Sequence, residues 1–141
     1  MGPISVGALA RTELMNLTNL FRLHAILAGV YAVGLIVVPE RLVGLLTALP
    51  LNPLAVDVAR LFGATLVLIA YIAWRASLLT DRDSRRMIAF GLFSYTILGT
   101  VIALSGQISG TWNVLGWSTV ISYLIFVFGY GYLLLLRPEK E

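Results

Sequence analysis

The sequence predicts an all-α integral membrane protein, a four-helix bundle whose helices run alternately up and down. Of its 141 residues, 59% are hydrophobic and only 12% are charged, whereas soluble domains have about 25% charged residues. In addition, four apolar segments of 22 to 27 residues are separated by short connections. About 20 apolar residues are enough for a helix to cross a bilayer, so each of these segments is long enough to span it.

The four spans are delimited by residues that cap or break helices. Pro39 ends the first span because proline lacks the N–H group of a continuing helix. Asn52 followed by Pro53 is a typical helix start, and Ser84 is the predicted cap of the third span. The predicted spans are residues 17–38, 53–79, 84–107 and 111–136.

The segments outside the spans are assigned from their composition. Residues 1–16 are predicted to be a flexible extension because they lack the apolar region of a signal peptide. Since Met15 stands directly before the first span, Met1 and Met15 are both candidate translation starts. Residues 137–141 are predicted to form a cytoplasmic tail. Residues 40–49 are too short to cross the membrane and too apolar for a free loop, which predicts a short interfacial or re-entrant helix.

The distribution of basic residues predicts the orientation, because arginine and lysine are more frequent on the cytoplasmic side. With four spans, the side of both termini carries eight basic residues, and the other side carries only Arg41 and Arg60. We therefore expect a multi-pass protein of the bacterial inner (plasma) membrane with both termini in the cytoplasm. The eight residues are Arg11, Arg22, Arg75, Arg82, Arg85, Arg86, Arg137 and Lys140.

Several function classes are disfavoured by what the sequence lacks. It has no cysteine and a single histidine, His24, which excludes disulfides, thiolate metal sites and a multi-histidine zinc site. The net charge of +3 is small and does not form the basic cluster that nucleic acid binding requires. The motifs of hydrolytic and metal-dependent enzymes are missing, as is the charged midplane site of a secondary transporter.

Arg60 marks a first polar level, in the second span. It lies about 22 Å from Arg75 along a helix, less than the ~30 Å hydrocarbon core, so at least one of the two must snorkel or lie below the interface. One interpretation is a snorkelling arginine paired with Asp57. The other is an outer-leaflet pocket for an anionic or carbonyl-bearing ligand such as a lipid headgroup. The candidate ligand-binding residues are Arg60, Asp57, Gln107, Asn113 and Ser105.

His24 marks a second polar level, nearer the cytoplasmic side. The predicted inner polar cluster comprises His24, Tyr71, Ser94 and Tyr130, which lie at similar depths. A hydrogen bond that fixes helix packing is the favoured role. A role of His24 in a proton relay is disfavoured because the inner half of the spans contains no carboxylate. A role as a haem ligand is disfavoured because haem would need a second axial residue. A quinone-like cofactor among the aromatic residues of the last two spans is a further alternative.

Small residues at helical spacing predict close helix packing, because they let membrane helices approach each other. A dedicated dimerisation motif is the alternative interpretation. The residues concerned are Ala25 with Gly29, Ala59 with Gly63, Gly99 with Ala103, and the stripe of Ser118, Ser122 and Gly129.

Five stretches carry a resemblance to a known group. They are RLHAILA (22–28), PERLVGLL (39–46), ARLFGA (59–64), SGQISG (105–110) and NVLGWSTVISYL (113–124). From residue 15 to 136 the chain resembles the uncharacterised small bacterial four-span membrane proteins, broadly similar in shape to the DoxX-like group. The resemblance implies a four-helix membrane fold without an established activity.

These observations favour a non-enzymatic membrane protein over an enzyme. The leading prediction is an accessory or scaffold subunit that binds a membrane-protein partner or forms a homo-oligomer. The alternative is a binder or carrier of a lipid or lipophilic small molecule in an outer-leaflet pocket near Arg60. A weaker alternative is a membrane enzyme that uses His24 or a bound cofactor.

Overall fold

The computed structural model describes residues 6–47 and 49–136, which form five α-helices. Four are long and apolar, and a short helix lies between the first and the second of them, which confirms the predicted fold class. A 3-10 turn (Val114–Gly116) precedes the last α-helix, and a π-helical turn (Tyr132–Leu136) continues it. The helices are α1 (Val6–Val37), α2 (Pro39–Leu46), α3 (Pro53–Leu78), α4 (Arg82–Ile108) and α5 (Trp117–Gly131).

Three helix starts differ from the predicted ones. The last helix, α5, begins at Trp117, after the 3-10 turn, rather than at residue 111. Helix α1 begins at Val6 rather than at residue 17, in keeping with the alanines, leucines and arginine of this stretch, which are good helix formers. Helix α4 is capped by Asp81, whose Oδ2 accepts a hydrogen bond of 2.9 Å from the Ser84 N–H. The prediction of Ser84 as the cap was wrong because an aspartate stands three residues earlier. Residues 1–5 of the predicted extension and the predicted tail 137–141 lie outside the described residues.

The bundle consists of two closely packed helix pairs, α1 with α3 and α4 with α5. In the first pair, a Cβ atom at Gly63 would lie 2.9 Å from Ile36 Cγ1 and 3.2 Å from the Ala32 carbonyl oxygen. In the second pair, Gly99 lies against the ring of Tyr123. Gly63 and Gly99 thus allow the close helix approach that their spacing predicts.

The predicted packing stripe of the last span contains two serines whose hydroxyls bond within their own segment and one glycine that meets another helix. Ser118 is exposed and donates its hydroxyl hydrogen to the Leu115 carbonyl of its own turn. Ser122 donates in the same way to the Ser118 carbonyl. Gly129 of this stripe meets another helix, where it faces Leu20 of α1.

The buried core has two parts that differ in the helices they join. At the end where α3 meets α4, here called the α3–α4 end, all four long helices contribute. At the opposite end, here called the α2 end, the buried core residues come from α1 and α3, with α2 and Tyr95 of α4 packed at the edge. The first part contains Phe21, Ala25, Ala73, Ala76, Ala89, Leu92, Phe126, Tyr130 and Leu134, and the second contains Ala28, Ala32, Leu35, Ala59 and Leu66.

Candidate functional site

An open groove lies at the α2 end, between α2, the connection that follows it and the first turns of α3. Its volume is about 630 Å³. The start of α3 is fixed by Asn52, whose side-chain oxygen accepts a 2.8 Å hydrogen bond from the Ala55 N–H. This groove, here called the Arg60 groove, is lined by Glu40, Gly44, Leu49, Pro50, Leu51, Asn52, Pro53, Val56, Asp57 and Arg60.

The charged groups of the groove surround the guanidinium of Arg60. Its Nη1 lies 3.6 Å from Asp57 Oδ1, and its Nη2 lies 3.9 Å from Glu40 Oε1. Both distances exceed the 2.7–3.2 Å of an N–H···O hydrogen bond. The side chains are 50%, 71% and 59% exposed for Arg60, Asp57 and Glu40 respectively. The guanidinium and both carboxylates can therefore accept new partners without breaking a hydrogen bond between them.

The remaining predicted ligand-binding residues do not line this groove. Asn113 caps the 3-10 turn through its Oδ1, which accepts from the Leu115 N–H at 2.8 Å, and its Nδ2 donates to the Leu45 carbonyl at 2.9 Å. Gln107 Nε2 donates to the Asn113 carbonyl at 3.1 Å. Ser105 is exposed on α4. The predicted single site thus divides, with Asp57 and Arg60 in the groove and Gln107 and Asn113 in a structural contact.

That structural contact joins α2 to the connection between α4 and α5. Thr47 donates its hydroxyl hydrogen to the Thr111 carbonyl at 3.1 Å, and the Asn113 N–H donates to the Leu46 carbonyl at 2.9 Å. Thr47 and Trp112 also form an isolated β-bridge. We call this set of contacts the α2 clasp; it comprises Thr47, Gln107, Thr111, Trp112 and Asn113.

The inner polar cluster forms only in part. His24 is 3% exposed, and its Nδ1 lies 3.1 Å from the hydroxyl of fully buried Tyr130. The imidazole stacks on Phe126, with ring centroids 4.2 Å apart. Tyr71 is 61% exposed, and Ser94 is exposed and donates to the Phe90 carbonyl of its own helix. Tyr71 and Ser94 therefore lie on exposed helix faces, whereas His24 and Tyr130 are buried.

Two polar contacts of the bundle were not identified from the sequence. The hydroxyls of Tyr95 and Tyr123 lie 3.3 Å apart across the α4–α5 contact. Arg85 is only 3% exposed, although the sequence suggested only a loop arginine. The signal for Arg85 was its spacing, because it continues the helical stripe of Ala89, Leu92, Thr96, Thr100 and Ala103, all of which are buried.

Arg85 joins three helices at the α3–α4 end. Its Nη1 donates to the Leu79 carbonyl at the end of α3, at 2.8 Å, and its Nη2 donates to Thr18 Oγ1 on α1, at 2.9 Å. The guanidinium carbon lies 5.6 Å from the centre of the Phe21 ring, within cation–π range. The two terminal nitrogens of Arg85 therefore link α4 to α1 and to the end of α3.

These features define a multi-pass α-helical membrane protein, with four helices long and apolar enough to cross a bilayer. The chain belongs to the family described as Domain of unknown function (DUF8292), whose profile matches residues 5–133. A search of curated proteins and a search of solved structures each gave no match. Among residues 6–47 and 49–136, no three His, Cys, Asp or Glu side chains are grouped so that they could hold a metal ion.

Proposed function

We propose that this membrane protein is non-enzymatic and binds a phospholipid headgroup in the Arg60 groove, on the outer side of the bacterial inner membrane. The observation that carries the proposal is the half-exposed guanidinium of Arg60, held between two carboxylates at distances longer than a hydrogen bond. A phosphate can accept two parallel hydrogen bonds from a guanidinium. The apolar part of the groove, with Leu49, Pro50 and Leu51, can contact the glycerol and the first acyl carbons.

A purely structural role gives a weaker account of Arg60. Exposed ion pairs contribute about 0–1 kcal/mol to stability, and the pairs of Arg60 with Asp57 and Glu40 are both exposed and long. By contrast, Arg85, which joins helices at the α3–α4 end, is buried and makes hydrogen bonds of 2.8 and 2.9 Å. The loose pairing of Arg60 therefore favours a binding role.

The test is the amount of phospholipid that the purified protein retains in native mass spectrometry. Arg60→Gln should lower retention about tenfold, because one lost charge-assisted hydrogen bond corresponds to roughly 1.5 kcal/mol. Arg41→Gln is the matched control, since Arg41 is exposed at the same end of the bundle and does not line the groove. Equal retention by the wild type and both variants, with equal melting temperatures, would refute lipid binding at this site.

The outer location has its own test, which the sequence makes simple because it contains no cysteine. Ser109→Cys, in the α4–α5 connection, should react with a membrane-impermeant maleimide on intact spheroplasts. Asp83→Cys, at the start of α4, should react only after the membrane is opened. The reverse pattern would place the groove on the cytoplasmic side.

A second candidate function is self-association or binding of a partner subunit, the leading prediction from the sequence. It is favoured by α3, whose most apolar stretch is only 11% buried within the protein, against 22–33% for the other three spans. Native mass spectrometry after gentle extraction tests it, since a homo-oligomer gives whole multiples of the chain mass. The resemblance to the DoxX-like group remains a prediction.

A further inference from the structure

We infer that the Arg60 groove selects phospholipids with an ethanolamine headgroup, an inference that rests on the proposed function and names its ligand class. Arg60 would bind the phosphate, and Glu40 and Asp57 would bind the ammonium group. The inference follows from the sign, the spacing and the chemical type of the groups that line the groove.

The net charge of the groove distinguishes between headgroup classes. Its ten lining residues carry two carboxylates, Glu40 and Asp57, and one guanidinium, Arg60, so the lining has a net charge of −1. A headgroup with a phosphate alone, as in phosphatidylglycerol, brings one negative charge close to both carboxylates, and like charges at short range repel. A zwitterionic headgroup adds a positive charge that these carboxylates attract.

The arrangement of the charges matches that of a zwitterionic headgroup. The guanidinium lies between the carboxylates, with Nη1 toward Asp57 and Nη2 toward Glu40. In an ethanolamine headgroup the phosphate and the ammonium are likewise adjacent, joined by two carbon atoms. The pairs of 3.6 and 3.9 Å are not hydrogen bonds. The headgroup can therefore form hydrogen bonds with all three side chains, its phosphate with the guanidinium and its ammonium group with the carboxylates.

The chemical type of the lining favours ethanolamine over choline. A primary ammonium has three N–H donors for the carboxylates of Glu40 and Asp57, as a lysine ammonium does. The quaternary ammonium of choline has no N–H donor and is typically recognised by aromatic side chains. None of the ten residues lining the groove is aromatic. Carboxylates without aromatic neighbours are thus suited to an ammonium group that donates hydrogen bonds.

The experiment uses the full-length protein in vesicles of equimolar phosphatidylethanolamine, phosphatidylglycerol and phosphatidylcholine, followed by native mass spectrometry of the retained lipid. We expect the wild type to retain phosphatidylethanolamine roughly tenfold over phosphatidylcholine, the effect of about one charge-assisted hydrogen bond. Replacing phosphatidylcholine by N,N-dimethyl-phosphatidylethanolamine should give an intermediate value, because this headgroup keeps the charge and one N–H donor.

The variants separate the two charges of the site. The double variant Glu40→Gln with Asp57→Asn keeps the side-chain shapes, removes both carboxylates and should change the preference to phosphatidylglycerol. Arg60→Gln should lower retention of all three lipids, and Arg60→Lys should lower it less, because a lysine keeps the charge without the planar fork. Arg41→Gln and Asp83→Asn are controls outside the groove, and melting temperatures show whether each variant is folded.

The outcomes distinguish this inference from the function on which it rests. If retention depends on Arg60 while the wild type prefers phosphatidylglycerol, or does not distinguish ethanolamine from choline, the ethanolamine selection is overturned and lipid binding stands. If retention is the same in the wild type and in Arg60→Gln, both are overturned. An unchanged preference in the double carboxylate variant also overturns the selection.

Discussion

Each end of the bundle contains an arginine that contacts other groups, and the two arginines differ in burial and in hydrogen bonding. At the α3–α4 end, Arg85 is 3% exposed and donates hydrogen bonds to α1 and to the end of α3. At the α2 end, Arg60 is half exposed, and its two ion pairs are longer than hydrogen bonds. The difference teaches that a buried arginine whose two terminal nitrogens donate to other helices holds the bundle together, whereas a half-exposed arginine with long ion pairs in a groove remains available to a ligand.

The largest expected effect comes from removing the buried arginine. Arg85→Ala should lower the free energy of unfolding by roughly 2–4 kcal/mol, because two charge-assisted hydrogen bonds are lost and their acceptors lose a partner. Arg86→Ala is the matched control, since the neighbouring Arg86 is exposed. The measurement is thermal unfolding in detergent. Equal losses in the two variants would contradict the role of Arg85 in joining the helices.

A second test concerns the close packing of α4 and α5 at Gly99. Gly99→Ala places a Cβ atom against the Tyr123 ring and should cost about 1–3 kcal/mol through overpacking. Gly91→Ala, on the same helix, meets no atom within 4 Å. It should be neutral or slightly stabilising because alanine favours a helix more than glycine does. The melting temperature in detergent should therefore fall in Gly99→Ala and stay equal or rise slightly in Gly91→Ala, and equal changes would mean that the contact at Gly99 is loose.

A third test concerns the buried hydrogen bond between α1 and α5. Tyr130→Phe removes the hydroxyl that meets His24 and should destabilise the bundle by about 0.6 kcal/mol, the average for hydrogen bonds between membrane helices, and by no more than about 2 kcal/mol. Tyr71→Phe removes the hydroxyl of an exposed tyrosine and should have no measurable effect. A larger loss of stability in Tyr71→Phe than in Tyr130→Phe would contradict the finding that His24 bonds to Tyr130 and that Tyr71 lies apart from this pair.

The smallest expected effect is a pH dependence at the cap of α4. Hydrogen bonds from the Ser84 hydroxyl and the Ser84 N–H lower the pKa of Asp81 below its usual 3.8. A lowered pKa in the folded state means that the contribution of Asp81 is present above pH 3.8 and is lost as the pH falls below it. The melting-temperature advantage of the wild type over Asp81→Asn should shrink between pH 6 and pH 3. In Ser84→Ala this shrinkage should be weaker, and an advantage that grows on acidification would contradict the assignment.

The fold followed from the sequence because it depends on the length and apolarity of whole segments, which a bilayer constrains strongly. The contact of Asp57 with Arg60 followed from their spacing of three residues on one helix. Contacts between residues on different helices were harder to predict. The position of a residue along a helix indicates its depth in the membrane but does not show which neighbouring helix its side chain faces. Tyr130 therefore meets His24 while Tyr71 does not, and Asn113 turns toward α2 because its loop backbone sets its direction.

The α2 clasp and Arg85 have a joint mechanical consequence. The clasp fastens α2, which packs beside α1 and α3, to the connection between α4 and α5. Arg85 fastens α4 to α1 and α3 at the other end. With hydrogen bonds at both ends, any sliding of the two helix pairs along their axes would break some of these bonds. In a bilayer thinner or thicker than its apolar length, the bundle should therefore adapt by tilting as one body.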